Sequence, residues 1–172
     1  MTASRFAYDD ETFLLDGEPR RILSGALHYF RVHPDQWADR IAMGRLMGLN
    51  TIETYIPWNA HSGVRGAFDT EGGLDLGRFL DLVGDAGMHA IVRPGPYICA
   101  EWDGGGLPAW LLATPGVGLR SSEPRYLDAV TEYLEAALAV VAPRQIDNGG
   151  PVILLQVENE YGAYGDDADY LR

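Results

Sequence analysis

Cysteine is almost missing from this chain: Cys99 is the one such residue among 172. An internal disulfide is therefore excluded. Positive charge is scarce as well. Lys and Arg together number 13 against 25 Asp and Glu, a formal net charge of −12, and no basic stripe stands out against it. Bulk electrostatics thus argues against nucleic acid or an anionic membrane as partner, while permitting a neutral or cationic small molecule. No apolar run approaches the ~20 residues that cross a bilayer. The opening MTASRFAYDDETF lacks the apolar stretch of a secretory signal, so the expected location is cytoplasmic. His28, His33, His61 and His89 are scattered without metal-ligand spacing, which gives little support to a zinc site.

What is present is an ordinary globular composition, long enough for a real core. Residues 1–20 read as a lead-in hairpin, with a turn signal at Asp16-Gly17 between two apolar runs. From residue 21 a rhythm of strands and helices sets in. Arg21 to Phe30 is strand-like, and Pro34 opens a helix on which Trp37, Ile41, Gly44 and Gly48 share a stripe. Asn50 to Trp58 is the next strand. Leu76, Phe79, Leu80 and Val83 then fall at helical spacing, followed by a strand from His89 to Pro94. A long loop with Gly104-Gly105-Gly106 runs to about Ser122. A third helix covers Pro124 to Val141, with Leu127, Val130, Leu134, Leu138 and Val141 on one side. The apolar VILLQV, Val152 to Val157, ends in Glu158-Asn159-Glu160. It reads as a strand buried on both faces.

The junctions Gly48-Leu49-Asn50-Thr51-Ile52 and Gly87-Met88-His89-Ala90-Ile91 look alike. Each is a helix-ending glycine feeding a strand, in a repeat of about 40 residues. Alternating strands and helices imply a parallel sheet, either doubly wound or part of a (β/α)8 barrel. The segment after the first strand, SGALHYFRVHP, has neither G-x-G-x-x-G nor a Walker lysine. Instead, polar and aromatic residues crowd the strand ends: His28 and Tyr29; Glu53, Tyr55, Trp58 and Asn59; Arg93, Tyr97, Glu101 and Trp102; Asn159 and Glu160. An active site on the C-terminal face of a barrel has this pattern.

Carboxylates beside tryptophan and tyrosine suit sugar chemistry. Aromatic rings cover the C–H face of a pyranose, and a glycosidase needs one carboxyl as acid and another as nucleophile or base. Each residue also has a plainer explanation: a lone Trp is more often core, and Glu53 is a natural ion-pair partner for Arg93. The segments HYFRVHPDQW, GLNTIETYIPWNAH, RPGPYICAEWDGGGLPAWL and GGPVILLQVENEYGAYG resemble the signature segments of glycoside hydrolase family 35, the β-galactosidase family, from about Leu14 to the last residue.

The resemblance implies a retaining enzyme on a (β/α)8 TIM barrel that removes terminal β-D-galactosyl residues from an oligosaccharide or glycoconjugate, with no cofactor and no required metal. Residue by residue it implies Glu160 as general acid/base, with Asn159, Tyr55, Ile98, Cys99, Ala100 and Glu101 contacting the sugar. His61-Ser62 and Phe68-Asp69-Thr70 depart from the family pattern in what reads as a peripheral loop. Strand alternation puts Glu158 and Glu160 on one side and Asn159 on the other; alternation does not choose between the glutamates, and the resemblance chooses Glu160. Glu158 then reads as an interior hydrogen-bonding residue.

A complete barrel takes about 250 residues. The expectation is therefore an α/β N-terminal half-barrel over residues 21–172, four parallel strands truncated after the fourth, lacking the family's nucleophile and inactive by itself. Two edges would be open to self-association. The alternatives are a noncatalytic sugar-binding or assembly-dependent half-barrel, and a doubly wound binding module.

Overall fold

The computed structural model describes residues 5–172. It opens with an antiparallel three-stranded meander: β1 (Phe6–Tyr8), β2 (Phe13–Leu15) and β3 (Glu18–Arg20). The expected hairpin is the second half of this meander. Leu15 pairs with Glu18 across a two-residue turn, with Asp16 at φ 53° and Gly17 at φ 84°. Two consecutive positive φ angles are what an Asp-Gly hairpin turn supplies. Arg5 ties the meander to the rest of the chain. Its guanidinium holds Asp16 at 2.8 and 2.9 Å and also donates to the carbonyl of Ile146 at 3.1 Å.

The main sheet is parallel, in the order β4 (Ser24–Ala26), β5 (Thr51–Tyr55), β6 (His89–Gly95), β7 (Val152–Val157). β4 is shorter than the strand expected over Arg21 to Phe30. Beyond it the chain turns into a single 3-10 turn, Tyr29–Arg31. Between the strands lie α1 (Trp37–Leu46), the one-turn α2 (Trp58–His61), α3 (Leu76–Asp85), the one-turn α4 (Ala109–Leu112) and α5 (Pro124–Val141); α6 (Tyr161–Tyr164) follows β7.

The two similar junctions have the same geometry. After α1, Gly48 at φ 94° donates to Arg45 O, and Leu49 donates to Gly44 O at 3.1 Å. After α3, Gly87 at φ 67° donates to Gly84 O, and Met88 donates to Val83 O at 3.1 Å. Both are Schellman caps, in which glycine accepts the left-handed conformation and turns the chain into the next strand. Gly48 is accordingly exposed and does not face the sheet. Gly44 does: a Cβ there would lie 3.5 Å from Ile52 Cδ1. At its start α3 is capped by Asp75, whose carboxylate accepts from Arg78 N–H at 2.9 Å.

Leu76, Phe79, Leu80 and Val83 of α3 are all fully buried. They join one core with Trp37 and Ile41 of α1, Ile52 of β5 and Ala90 and Val92 of β6. Strand alternation sends Glu53, Tyr55, Ile91 and Arg93 to the opposite face, where they are only half-buried. The helices thus cover one face and the other is lined by polar side chains. A doubly wound sheet would carry helices on both; this arrangement is the wall of a barrel.

Two expectations are corrected. On α5 the buried stripe is Tyr126, Ala129, Val130, Tyr133, Ala137 and Val141, with Leu127, Leu134 and Leu138 on its flank. Tyrosine decides this. Tyr133 stacks on Trp58 with centroids 4.7 Å apart, and its hydroxyl donates to Ile56 O and Pro94 O at 3.1 and 2.7 Å, so a ring with a polar tip outcompetes leucine for the core. On β7 only Val152 and Ile153 are buried, while Leu155 is 37% and Val157 61% exposed. Apart from one isolated parallel bridge between Val152 and Gln145, β7 pairs only with β6 among the described residues, so most of the strand is an open edge.

Candidate active site

The C-terminal ends of β5, β6 and β7 converge. Parallel pairing sets Tyr55 opposite Arg93 and Gly95 opposite Val157. On the inner face the Arg93 guanidinium lies 4.2 Å above the Tyr55 ring, donates to Glu53 at 3.0 Å and donates to Asn159 Oδ1 at 2.7 Å. The Tyr55 hydroxyl donates to the same Asn159 oxygen at 3.2 Å. Burial raises the Tyr55 phenol above its ordinary value, partly opposed by Arg93, so it remains a donor. With two donors on its oxygen, Asn159 points its NH2 group elsewhere; among the described residues that nitrogen has no hydrogen-bond partner. It is available to a ligand hydroxyl.

Glu158 and Glu160 do not share a side. Pairing stops at Val157, and both glutamates adopt left-handed backbone, at φ 64° and 49°. Glu158 turns inward, 4% exposed, where the Arg120 guanidinium grips it at 3.2 and 2.6 Å. It is thus a buried hydrogen-bonding residue. Glu160 is exposed; its carbonyl accepts from Ala163 N–H at 3.0 Å and its charge is felt by the Tyr55 phenol, while among the described residues its carboxylate has no hydrogen bond or ion pair. Left-handed backbone at non-glycine positions costs about 1–2 kcal/mol per residue, and strain of this kind gathers at functional sites.

The loop after β6 forms the rim. Cys99, Ala100 and Glu101 are three successive left-handed residues, at φ 55°, 55° and 45°, closed by Trp102 N–H on Cys99 O at 2.9 Å. Arg31 holds this turn through the carbonyls of Ala100 and Glu101. Cys99 is half-buried, Ala100 is 8% exposed and Glu101 is exposed. Ile98 is fully buried and offers a ligand no surface; its N–H donates to Gly105 O at 2.8 Å. Trp102 is half-buried, donating to Asn59 Oδ1 at 2.7 Å and meeting Phe30 edge-on at 4.8 Å.

Tyr29 and Trp58, expected among the strand-end groups, belong to the core, 0% and 1% exposed. His61 is no peripheral residue either. It is 1% exposed, stacks on Phe68 at 4.5 Å and sits 2.5 Å from both the Tyr29 hydroxyl and Asp69 O. A carbonyl only accepts, so Nδ1 carries the proton and Nε2 accepts from Tyr29. Burial holds His61 below the ordinary histidine value. No group of three His, Cys, Asp or Glu placed to hold a metal occurs among the described residues.

The sequence drew attention to neither Arg120 nor Tyr170, whose hydroxyl donates to Glu158 Oε1 at 2.7 Å. Both lie in segments without periodicity, and a lone arginine in LRSSEP carries no signal.

The fold recurs in solved carbohydrate enzymes. GH5_18 from Streptomyces cattleya, in complex with GlcNAc, aligns with a TM-score of 0.67 at 17% identity, over 87% of this chain and 36% of that one. The exo-β-1,4-mannosidase Op5Man5 from Opitutaceae bacterium strain TAV5 gives 0.67 at 17%, over 95% and 28%. At this identity the likeness speaks for the fold alone: the N-terminal half of a (β/α)8 barrel. Sequence supplies the family. The profile of glycosyl hydrolases family 35 matches residues 12–172. Beta-galactosidase of Felis catus is 51% identical over 166 residues, 96% of this chain and 25% of the relative. Beta-galactosidase of Mus musculus is 49% identical over 96% and 26%, and the mouse beta-galactosidase-1-like protein 47% over 99% and 27%. The chain belongs to glycoside hydrolase family 35, and it spans about a quarter of the length of the curated relatives it matches.

Proposed function

We propose that this chain forms the first half of the catalytic barrel of a retaining β-galactosidase, acting on a β-galactoside oligosaccharide or glycoconjugate. Glu160 is its general acid/base, and Asn159, Tyr55, Cys99, Ala100 and Glu101 line the galactose site. The observation that carries the reading is the contrast at the end of β7. Glu158 is buried and neutralised by Arg120, whereas Glu160 is exposed beside an asparagine whose oxygen is held by Arg93 and Tyr55 and whose NH2 group has no hydrogen-bond partner among the described residues. An acid/base must reach the glycosidic oxygen, and only the second glutamate is open to one. Relatives about half identical and described as beta-galactosidases support the substrate class.

Retention needs a second carboxyl about 5–5.5 Å from the first. On the inner face Glu53 is paired with Arg93, and Glu158 with Arg120. A carboxylate held by a guanidinium is a poor nucleophile. Glu101 sits on the rim. The 172 residues alone are therefore proposed to be inactive and to associate through the open β7 edge, which favours the assembly-dependent half-barrel as the second reading.

The test uses the full-length protein and aryl β-galactosides. Glu160→Gln should slow hydrolysis by about 10²–10⁴-fold for poor leaving groups and far less for good ones, because good ones need little proton donation. Azide should restore part of the rate by replacing the activated water. Equal losses across the series would sink the assignment of Glu160.

A further inference from the structure

Arg120 lies between α4 and α5, outside every segment that suggested sugar chemistry, and is 5% exposed. We propose that Arg120 is a positioning residue: together with Glu158 it sets the left-handed backbone at Glu158 and at Glu160 and so aims Glu160 into the site. The proposal rests on the acid/base reading of Glu160.

The Glu158 carboxylate is saturated. It receives Arg120 Nε at 3.2 Å and Nη2 at 2.6 Å, the Tyr170 hydroxyl at 2.7 Å and the Asn159 N–H at 2.9 Å. Its own N–H donates to Gly95 O at 2.7 Å, the last contact of the sheet. Arg120 Nη2 also donates to Asn159 O at 2.7 Å. The peptide plane leading into Glu160 is therefore clamped by the same guanidinium that neutralises Glu158. Fixing both φ of Glu158 and the direction of the Asn159 carbonyl leaves Glu160 little freedom, and left-handed backbone persists only where its surroundings over-determine it.

Arg120 is in turn held by aromatic rings. Its guanidinium carbon lies 4.0 Å from the Tyr97 ring centroid and 4.1 Å from that of Tyr164. Its carbonyl accepts from the Tyr161 hydroxyl at 2.9 Å. Stacking and a bidentate fork together require a planar guanidinium, which lysine does not reproduce. Three segments thus meet at one side chain: the loop after β6, the approach to α5, and the turn that carries Glu160. Arg120 moves no proton; it acts through the carboxyl it aims.

The test takes the full-length protein with Arg120→Lys and with the pair Arg120→Met/Glu158→Gln, which leaves no unpaired buried carboxylate. Both are assayed on aryl β-galactosides of low and high leaving-group pKa. The expected result is a fall in kcat of about tenfold or more for poor leaving groups and roughly threefold or less for good ones, with KM changed little. In a Glu160→Gln background the pair should cost little more, since Arg120 is proposed to act on the acid alone and no acid remains to misalign. Uniform losses across leaving groups, or losses that multiply in full in that background, would overturn the proposal. Hydrogen exchange at Asn159 N–H provides an arm independent of turnover. It should quicken about tenfold in the paired variant relative to Ala90 N–H, whose bond to Pro151 O lies in the sheet. Unchanged exchange overturns the proposal whatever the activity. A parent protein that hydrolyses no galactoside counts against the proposed function alone, and the exchange result still decides the role of Arg120 in holding the backbone.

Discussion

Arg93 donates through Nη2 to the side-chain oxygen of Asn159 across 2.7 Å, and that bond decides which way the amide faces. The oxygen is turned back toward the barrel wall, where Tyr55 also reaches it. The NH2 group has no hydrogen-bond partner among the described residues. An asparagine at the end of ENE could equally have presented its carbonyl; the guanidinium makes the choice.

Asn159→Asp keeps both acceptor bonds and removes the free donor. In the full-length protein it should lower kcat/KM by about tenfold, the cost of roughly one hydrogen bond to a sugar hydroxyl. The melting temperature should change little, because Arg93 and Tyr55 find a carboxylate in the same place. Steady-state kinetics beside a thermal melt checks both halves. A variant that loses stability but keeps kcat/KM would return Asn159 to a structural role.

Gly105→Ala should damage the fold severely. A Cβ at Gly105 would stand 1.9 Å from Tyr97 Cε2, at φ 61°. Displacing Tyr97 also removes a ring that lies 4.0 Å from the Arg120 guanidinium. Left-handed strain of about 1–2 kcal/mol adds to overpacking of about 1–3 kcal/mol. Gly17→Ala is the control: its φ is 84° but nothing lies within 4 Å, so the strain acts alone. Denaturant titration should rank Gly105→Ala well below Gly17→Ala. Equal losses would mean that Tyr97 moves aside without cost.

Stability should fall on the acid side of neutrality. Burial depresses the affinity of His61 for a proton below the ordinary 6.5, and burial acts likewise on His28 and His89. The unfolded chain then binds protons that the folded one refuses. The contribution is fully present above pH 6.5 and is lost as pH falls below it, with a slope of at most about 1.4 kcal/mol per pH unit for each histidine. His61→Asn should reduce stability at pH 8 and flatten the decline from pH 7 to pH 5. Parallel pH curves for parent and variant would remove His61 from the account.

The open edge should be sticky. Leu155 and Val157 expose apolar surface along the unpaired side of β7, and an edge strand of that kind is a template for pairing with another chain. The 172-residue polypeptide should sediment as dimers or larger species, and Leu155→Lys with Val157→Glu should shift it toward monomer. A parent polypeptide that stays monomeric at high concentration would refute the idea.

Local signals in the sequence were enough for several elements whose defining contacts are near neighbours in the chain. Asp16-Gly17 specified its turn, Leu76 to Val83 specified the buried face of α3, and Gly48 and Gly87 specified matching caps, because backbone conformation and helical period act over a few residues. The four motif segments likewise placed the chain in its family. What only the tertiary structure decided lies across long separations. Arg120 meets Glu158 over 38 residues, Tyr29 meets His61 over 32, and Arg93 meets Asn159 over 66. Alternation put Glu158 and Glu160 on one side, and it failed because the strand ends at Val157, where the buried ion pair and two left-handed residues take over. Hydrophobic period records which face of an element is apolar. It carries no record of which charged group waits on the neighbouring loop, and at this site that group determines which glutamate is buried and which is open to a ligand.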